Sequence, residues 1–257
     1  IPVEEGIKMY GAMCRVVQTT DKYTVGIALT RKDYIASFEN TNGEGLKQWH
    51  FNAGNLFVYN NDLNQYGEAY YPTVDNYRLP GLTADTAHLA DGYGNQRFPD
   101  TTCAGGANDG EIAAIAYSYS GTYLDQDTMA NKSYFLMEDG IVQMGTDIHG
   151  TTEATIETTV ENRMLKEDGS NQVLINDEVF DGQKKTLDLP AGSWIHLEGN
   201  CEGADMAYYF PQATQIEIQK EQRTGSYGDI NGGKPNEPYT AWYLKIGINH
   251  GTGTVED

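Results

Sequence analysis

Cysteine is scarce in this chain of 257 residues, and its three cysteines, Cys14, Cys103 and Cys201, lie far apart. An odd number at these spacings forms neither a disulfide framework nor a zinc-binding motif. One disulfide with one remaining thiol is compatible with the count. We favour buried free thiols, because free cysteine packs as a small hydrophobic residue.

Basic residues are also scarce, with 17 Lys and Arg against 37 Asp and Glu, so the formal net charge is −20. This charge argues against nucleic acid or an anionic membrane as partner. An acidic polysaccharide remains compatible if cations are concentrated locally or come from another domain. Apolar runs of about 18 residues are absent, so we expect no membrane insertion through a helix.

A helical hydrophobic repeat is almost absent, whereas strand-forming and turn-forming residues are abundant, including 18 Tyr and 29 Gly. Many short apolar segments are separated by turns such as Asp139-Gly140 and Asp181-Gly182. This pattern predicts an all-β fold, a large antiparallel sandwich that residues 1–257 form as one domain. The predicted strands are 13–19, 24–30, 34–38, 49–59, 112–119, 133–137, 141–146, 155–163, 172–175, 185–189, 193–197, 207–210, 215–221 and 241–248.

Residues 60–110 interrupt this series of strands. Pro72, Pro80 and Pro99, together with many Gly, Asp and Asn residues, predict an irregular region. A loop region of this length in a compact domain is usually functional. Within it, residues 62–66 are expected to form one helical turn capped by Asp62.

The end of the chain is unusual for a sandwich. After the last predicted strand, His250-Gly251 begins a turn, and the chain stops in what reads as a loop. A final hairpin without its return strand leaves an exposed edge. We therefore expect the sequence to be a fragment, with any signal peptide removed or lying upstream.

The stretch 40–81 combines a turn, aromatic residues and fixed polar groups. Asn42-Gly43 is a strong hairpin signal, and Glu44 follows it as a lone carboxylate. The predicted strand 49–59 has four aromatic residues at odd positions, which alternation places on one face. Gly54 within it indicates a bulge or a close backbone approach. Such a stretch suits the carbohydrate-facing edge of a sandwich.

Several motifs follow one another along the chain: Asn42-Gly43-Glu44, Trp49, Tyr59-Asn60-Asn61-Asp62, Tyr66, residues 71–81, Thr83, Ala104-Gly105-Gly106, Lys132-Ser133-Tyr134-Phe135, residues 158–163, 208–211 and 223–227, Asp229-Ile230-Asn231 and His250-Gly251. In this order and spacing they resemble the central β-domain of the family 8 polysaccharide lyases, the hyaluronate, chondroitin AC and xanthan lyases. The resemblance covers nearly the whole chain and rests on several motifs together. It implies a β-supersandwich of the galactose-mutarotase-like type.

The resemblance also implies partner domains and a mechanism. In the family an α/α-toroid domain precedes this domain and a small β-domain follows it, and both are absent here. Such lyases cleave a uronic-acid-containing polymer by β-elimination: a base removes the C5 proton, a neutralising group stabilises the carbanion, and an acid protonates the leaving oxygen. The Asn, His, Tyr and Arg that do this lie on the toroid. The chain alone is therefore expected to be inactive.

By the same resemblance Glu44 is a supporting catalytic residue that reaches across the cleft and stabilises a catalytic cation. Asn42 is a second catalytic candidate, and Trp49, Tyr71 and Arg78 are candidates for binding substrate. Each has a simpler alternative. Glu44 and Asn42 suit an exposed turn, the aromatic residues suit the core, and Arg78 suits a structural ion pair.

Two positions depart from the family pattern, because Gly45 and Ala53 stand where Asn and Asp are frequent. Some members hold calcium near the Leu-Pro-Gly motif, where this chain has Asp75 and Asp85. The full ligand set does not carry over, so we predict neither a metal nor another cofactor. Residues 161–163, Glu-Asn-Arg, read as a buried polar network that joins the sheets.

These observations predict the central domain of a bacterial polysaccharide lyase that is secreted or displayed on the cell surface, since a large polymer cannot enter a cell. Its expected partners are an acidic polysaccharide and the upstream toroid domain. One alternative is a carbohydrate-binding β-sandwich without catalysis. Another is a mutarotase-type enzyme, although no pairing of a histidine with a glutamate can be argued from the sequence.

Overall fold

The computed structural model describes residues 4–32 and 34–257 and is almost entirely β-structure. One short helix, α1, covers Tyr70–Thr73, and 3-10 turns cover Gly11–Met13, Gly121–Leu124 and Tyr227–Asp229. The strands are β1 (Gly6–Tyr10), β2 (Arg15–Thr19), β3 (Thr24–Ala28), β4 (Asn55–Tyr59), β5 (Thr83–Asp85), β6 (Ala104–Asn108), β7 (Ala113–Ser120), β8 (Met129–Met137), β9 (Gly140–Met164), β10 (Val173–Ile175), β11 (Glu178–Val179), β12 (Lys185–Leu189), β13 (Ser193–Leu197), β14 (Met206–Phe210), β15 (Thr214–Ser226) and β16 (Pro238–Glu256).

Three antiparallel sheets contain these strands. The first has the order β1-β2-β3-β4, and the second has the order β11-β10-β13-β14. The large sheet has the order β12-β15-β16-β9-β8-β7-β6, with β5 paired to β9. The predicted all-β, antiparallel fold is confirmed. The one-domain assignment of residues 1–257 stays a prediction.

The large sheet separates two hydrophobic cores. Tyr243 on β16 belongs to the core beneath the first sheet, and its neighbour Leu244 belongs to the core beneath the second sheet. Successive side chains of a strand point to opposite faces, so one strand serves both cores. Strand β9, with 25 residues, pairs with β16 through most of its length.

Several predicted strand boundaries are wrong. Residues 34–38 form only an isolated bridge between Arg31 and Ile35. Residues 49–54 form turns, so the predicted strand 49–59 is reduced to β4. The predicted strands 141–146 and 155–163 are two parts of β9, because the polar residues between them continue the strand. Residues 62–66 form turns without a helix.

The predicted turn at His250-Gly251 is also wrong. Both residues lie in β16, which continues to Glu256 and pairs with β9. Irregularities in the pairing occur on both sides of Gly251. The glycines that indicated a turn therefore mark irregular positions within a strand.

Residues 60–110 are mostly irregular, as predicted, but contain α1, β5 and β6. The predicted close approach at Gly54 is confirmed, because the Tyr134 hydroxyl donates to the Gly54 carbonyl at 2.6 Å. A Cβ at Gly54 would lie 2.7 Å from that hydroxyl. Among the described residues, no helix is long and apolar enough to cross a membrane.

Gly225 lets α1 pack directly against β15, and its substitution is expected to destabilise the fold. A Cβ at Gly225 would lie 1.9 Å from the Pro72 carbonyl oxygen, which belongs to backbone. Gly225→Ala should therefore lower the free energy of unfolding by about 2–3 kcal/mol, measured by urea denaturation. Gly247→Ala on β16 is the control, because its nearest atom would lie 3.6 Å away. Equal stability of the two variants would contradict this account.

Candidate functional site

The exposed face of the first sheet carries a trough of about 720 Å³. Gly26 on β3 forms its centre, with Val17 of β2 opposite on one side and Phe57 of β4 opposite on the other. In the next row along the sheet Arg15 lies opposite Ala28. A Cβ at Gly26 would meet no atom within 4 Å. The trough exists because β3 places only Gly26 and the methyl group of Ala28 on this part of the face.

Aromatic rings form one side of the trough. Tyr59 is 43% exposed, and Phe57 lies beside it on the same face of β4. The ring centroids of Phe57 and Phe51 are 6.1 Å apart, and Phe51 in turn stacks on Tyr71 at 6.4 Å. Rings with one face exposed can pack against the apolar face of a flat or ring-shaped ligand.

A loop of polar residues also borders the trough. Glu39, Glu44 and Gln48 line the trough from this loop, and Glu44 is exposed. The loop is fixed by its own hydrogen bonds, because the Asn40 side-chain oxygen accepts from the Gly45 amide at 2.9 Å. The Leu46 amide donates to the Ile230 carbonyl at 3.0 Å. The Glu44 carboxylate is therefore carried at the rim by a fixed backbone.

Asn42 lies in the same turn and is exposed, but within the described chain it is not among the residues that line the trough. The Asn42-Gly43 turn itself exists, with the Gly43 amide donating to the Asn40 carbonyl at 3.2 Å and a positive φ of 71° at Gly43. No strand flanks it on either side within the described residues, so the predicted hairpin is wrong.

Within the described chain, neither Trp49 nor Tyr71 is among the residues that line the trough. Trp49 is 3% exposed, its Nε1 donates to the Ala90 carbonyl at 3.1 Å, and its ring centroid is 4.9 Å from that of Tyr77. Tyr71 is half-buried behind Phe51. Tyr71 supports the aromatic side through its contact with Phe51. The contact of Trp49 or Tyr71 with a ligand stays a prediction.

Arg78 forms an ion-pair network away from the trough. Its Nε and Nη2 donate to the two Glu157 carboxylate oxygens at 2.7 and 2.9 Å, and its Nη1 donates to Asp75 at 2.7 Å. The hydrogen bonds to Glu157 and the nearby Asp75 raise the pKa of Arg78. All three nitrogens thus contact carboxylates. This is the geometry of a structural ion pair, and substrate binding by Arg78 stays a prediction.

The family model described as "Polysaccharide lyase family 8, super-sandwich domain" matches residues 5–257. The chain belongs to polysaccharide lyase family 8. The resemblance that the sequence motifs indicated is therefore confirmed, and the three antiparallel sheets are those of a super-sandwich domain.

Individual relatives agree with this membership. The super-sandwich domain is 37% identical over 256 residues to the polysaccharide lyase 8 family protein HylA of Enterococcus faecalis, covering 98% of this chain and 18% of that protein. It is 37% identical over 256 residues to the xanthan lyase of Bacillus sp. strain GL1, covering 95% and 26%. The chondroitin AC lyase of Streptomyces coelicolor A3, solved with chondroitin sulphate, has a TM-score of 0.85 and 32% identity, covering 100% and 32%. The chain spans less than a third of the length of each of these three proteins.

The predicted polar network of the super-sandwich domain is confirmed for Glu161 and Asn162, whereas Arg163 contributes one hydrogen bond, from Nη1 to the Val58 carbonyl at 3.5 Å. The Tyr208 hydroxyl donates to Glu161 at 2.6 Å, and Nη1 of Arg223 donates to the Asn162 side-chain oxygen at 2.8 Å. Asn162 in turn donates to the Arg78 carbonyl at 2.6 Å. The network connects the second and large sheets to the loop that follows α1.

The three cysteines of the super-sandwich domain are free, as favoured from the sequence, but only Cys14 is buried. Cys103 and Cys201 are exposed, so the prediction of burial is wrong for these two.

The two acidic residues near the Leu-Pro-Gly motif have protein partners. Asp85 accepts from the Thr152 hydroxyl at 2.8 Å, and Asp75 is paired with Arg78. Within the described residues no group of three or more His, Cys, Asp or Glu side chains is arranged to hold a metal ion.

Proposed function

We propose that the super-sandwich domain forms one wall of the substrate cleft of a lyase that cleaves an acidic, uronic-acid-containing polysaccharide of the hyaluronan, chondroitin or xanthan type. The observation that carries this proposal is the trough on the first sheet. It combines aromatic rings, the side-chain amides of Gln48 and Asn52, and the Glu44 carboxylate on one exposed face. The names of the relatives, which include a xanthan lyase and a chondroitin AC lyase, support lyase activity and an acidic polymer.

Under this proposal Glu44 has a supporting role in β-elimination. A base takes the C5 proton, the electron pair forms the C4–C5 double bond, and the C4–O bond breaks with protonation of the leaving oxygen. The residues of the described chain that line the trough include no histidine to serve as base. We assign the base and acid to an upstream α/α-toroid domain, and Glu44 orients and stabilises a cation of that domain across the cleft.

The proposed site of action is outside the bacterial cell or on its surface, because a polymer of this size does not cross a membrane. Under this proposal the isolated super-sandwich domain binds polymer weakly, since its net charge repels a polyanion. The alternative is a carbohydrate-binding module without chemistry. The exposed ring of Tyr59 favours that alternative, because exposed aromatic rings are frequent in sugar-binding surfaces.

The test uses the full-length parent protein with hyaluronan, chondroitin sulfate and xanthan, followed by ultraviolet absorbance of the unsaturated product. Glu44→Gln should lower kcat roughly 100-fold, because it removes a charge that stabilises the reacting groups. Glu178→Gln is the matched control, since Glu178 is exposed on β11 of the second sheet. If kcat is unchanged in Glu44→Gln, Glu44 has no role in catalysis and is only a residue of the turn.

Cleavage of no polymer by the parent would overturn the lyase proposal. Direct binding of polymer to the isolated domain would then support the carbohydrate-binding alternative. Cleavage by the isolated domain would instead show that the base and acid lie within this chain.

A further inference from the structure

Arg15 is the only basic residue among the described residues that line the trough, where Glu39 and Glu44 supply negative charge. It projects from the first position of β2, beside Ala28 on the central strand. In a chain with more than twice as many acidic as basic residues, a cation in the candidate cleft is unusual. Its contacts therefore indicate what it does there.

The guanidinium of Arg15 is fixed by neutral acceptors. Nη1 donates to the carbonyls of Met13, Cys14 and Leu29 at 2.9, 3.1 and 3.2 Å. Nη2 donates to the side-chain oxygen of Asn52 at 2.6 Å. A group held by four acceptors has little freedom left to lose when a ligand binds, so it is preorganised.

Within the described part of the chain, the charge of Arg15 has no carboxylate partner. In the range 4–32 and 34–257, no carboxylate oxygen lies within 4.0 Å of the Arg15 guanidinium nitrogens, whereas Arg78 contacts two carboxylates. Burial lowers the pKa of Arg15, which is the direction expected for a partly desolvated cation. Removing a cation from water without an anionic partner costs free energy that a bound anion restores.

Two donors of Arg15 stay available. Within the described residues Nε donates no hydrogen bond, and Nη2 donates one of its two. Arginine binds carboxylates through such N–H groups. Beside it, the empty space above Gly26 and the ring of Phe57 leave room for a sugar ring.

We infer that Arg15 binds the carboxylate of an acidic sugar residue of the polymer, so that the trough is a subsite for one charged sugar. This inference rests on the proposed function and adds the charged group that the trough recognises. Arg15 thereby supplies, inside an acidic domain, the local positive charge that a polyanion requires.

The test compares two ligands on the full-length parent protein: a glucuronic-acid-containing oligosaccharide and the same oligosaccharide with its carboxyl groups reduced to alcohols. The dissociation constants are measured by calorimetry. The wild-type protein should prefer the native ligand, and Arg15→Gln should lower that preference ratio at least tenfold. Arg15→Lys should retain part of it, because the charge remains. An unchanged ratio in Arg15→Gln would overturn the inference.

Lys8→Gln is the matched control, since Lys8 lies on β1 of the same sheet but is paired with Glu4 at 2.7 Å. If Arg15→Gln unfolds, as a lower thermal midpoint would reveal, Asn52→Ala replaces it. That variant frees the guanidinium from one acceptor, and a smaller preference ratio is again expected. A ratio equal to that of the wild-type protein would count against Arg15.

Sulfate esters of the polymer are also anionic. A sulfated chondroitin oligosaccharide, compared with its unsulfated form, therefore distinguishes binding of a sulfate from binding of a carboxylate. If Arg15→Gln lost its preference for sulfated over unsulfated chondroitin oligosaccharide and kept its preference for the carboxylate, the assignment to a carboxylate would be wrong. Failure of the proposed function is distinguishable from failure of this inference. If the full-length protein cleaves polymer and Arg15→Gln keeps the full preference for the carboxylate, the proposed function stands. Only the assignment of the subsite to Arg15 then fails.

Discussion

Replacing Gly26 with isoleucine is expected to abolish polymer cleavage by the full-length protein while leaving the super-sandwich fold intact. The new side chain projects from the centre of β3 into the trough, where a Cβ meets no atom within 4 Å. Isoleucine is favoured in strands and glycine is not, so the thermal midpoint should stay the same or rise. Displacing a sugar ring from its position should cost at least about 100-fold in the rate of cleavage.

Initial rates and thermal midpoints of the same protein samples check this expectation. Gly26→Ala is an intermediate case and should retain part of the activity, because a methyl group fills less of the trough. Gly140→Ile is the matched control, since its Cβ also meets no atom within 4 Å and it does not line the trough. Full activity of Gly26→Ile would place the polymer elsewhere on the protein.

The second large effect concerns Lys132, which is expected to make the stability of the domain depend on pH between 7 and 10. Lys132 is 4% exposed, and its Nζ donates to the Gly81 carbonyl and the Thr83 hydroxyl, both at 2.8 Å. Neither partner carries a charge. Burial lowers the pKa of Lys132 to about 7 from the ordinary 10.5 of a lysine.

The direction of the effect follows from proton binding. Between pH 7 and 10.5 the unfolded chain holds the Lys132 proton and the folded chain does not, so stability rises with pH. Below pH 7 both states hold the proton, and the full cost of the buried charge is present. Each pH unit in this window contributes about 1.4 kcal/mol, so the gain from pH 7 to pH 10 is about 4 kcal/mol.

Lys132→Met removes this titration and isolates its contribution. The free energy of unfolding of the variant minus that of the wild-type protein should fall by about 4 kcal/mol from pH 7 to pH 10, as measured by urea denaturation. Groups that titrate in both proteins cancel in the difference. Lys234→Met, which changes an exposed lysine, is the control. A difference that is constant with pH would refute the assignment of a neutral, buried Lys132.

Most strands could be predicted from the sequence, because alternation and turn residues are local signals. The failure at residues 49–54 shows where local signals end. Trp49-His50-Phe51 has the composition of a strand, yet Trp49 packs against Tyr77 and its indole donates to the Ala90 carbonyl. Strand propensity measures how well a side chain suits a half-buried sheet surface, and contacts from distant residues override it here.

The candidate site was predictable only in part, for the same reason. Glu44 became a candidate because the Asn42-Gly43-Glu44 motif is part of the family resemblance, and the turn signal places its side chain at the surface. The trough could not be found, since it depends on Gly26 lying between Val17 and Phe57, and this register joins three strands. Arg15 reads as an ordinary residue at a strand end until its four neutral acceptors are known.

The two faces of β16 have a consequence for how this domain can vary during evolution. Tyr243 faces one core and Leu244 faces the other, so inserting or deleting one residue upstream in the strand would exchange their environments. An insertion or deletion of two residues keeps every side chain on its own face of the sheet. Length variation within β16 should therefore occur in pairs or be absorbed at the irregular positions around Gly251, while the loops between strands accept single insertions.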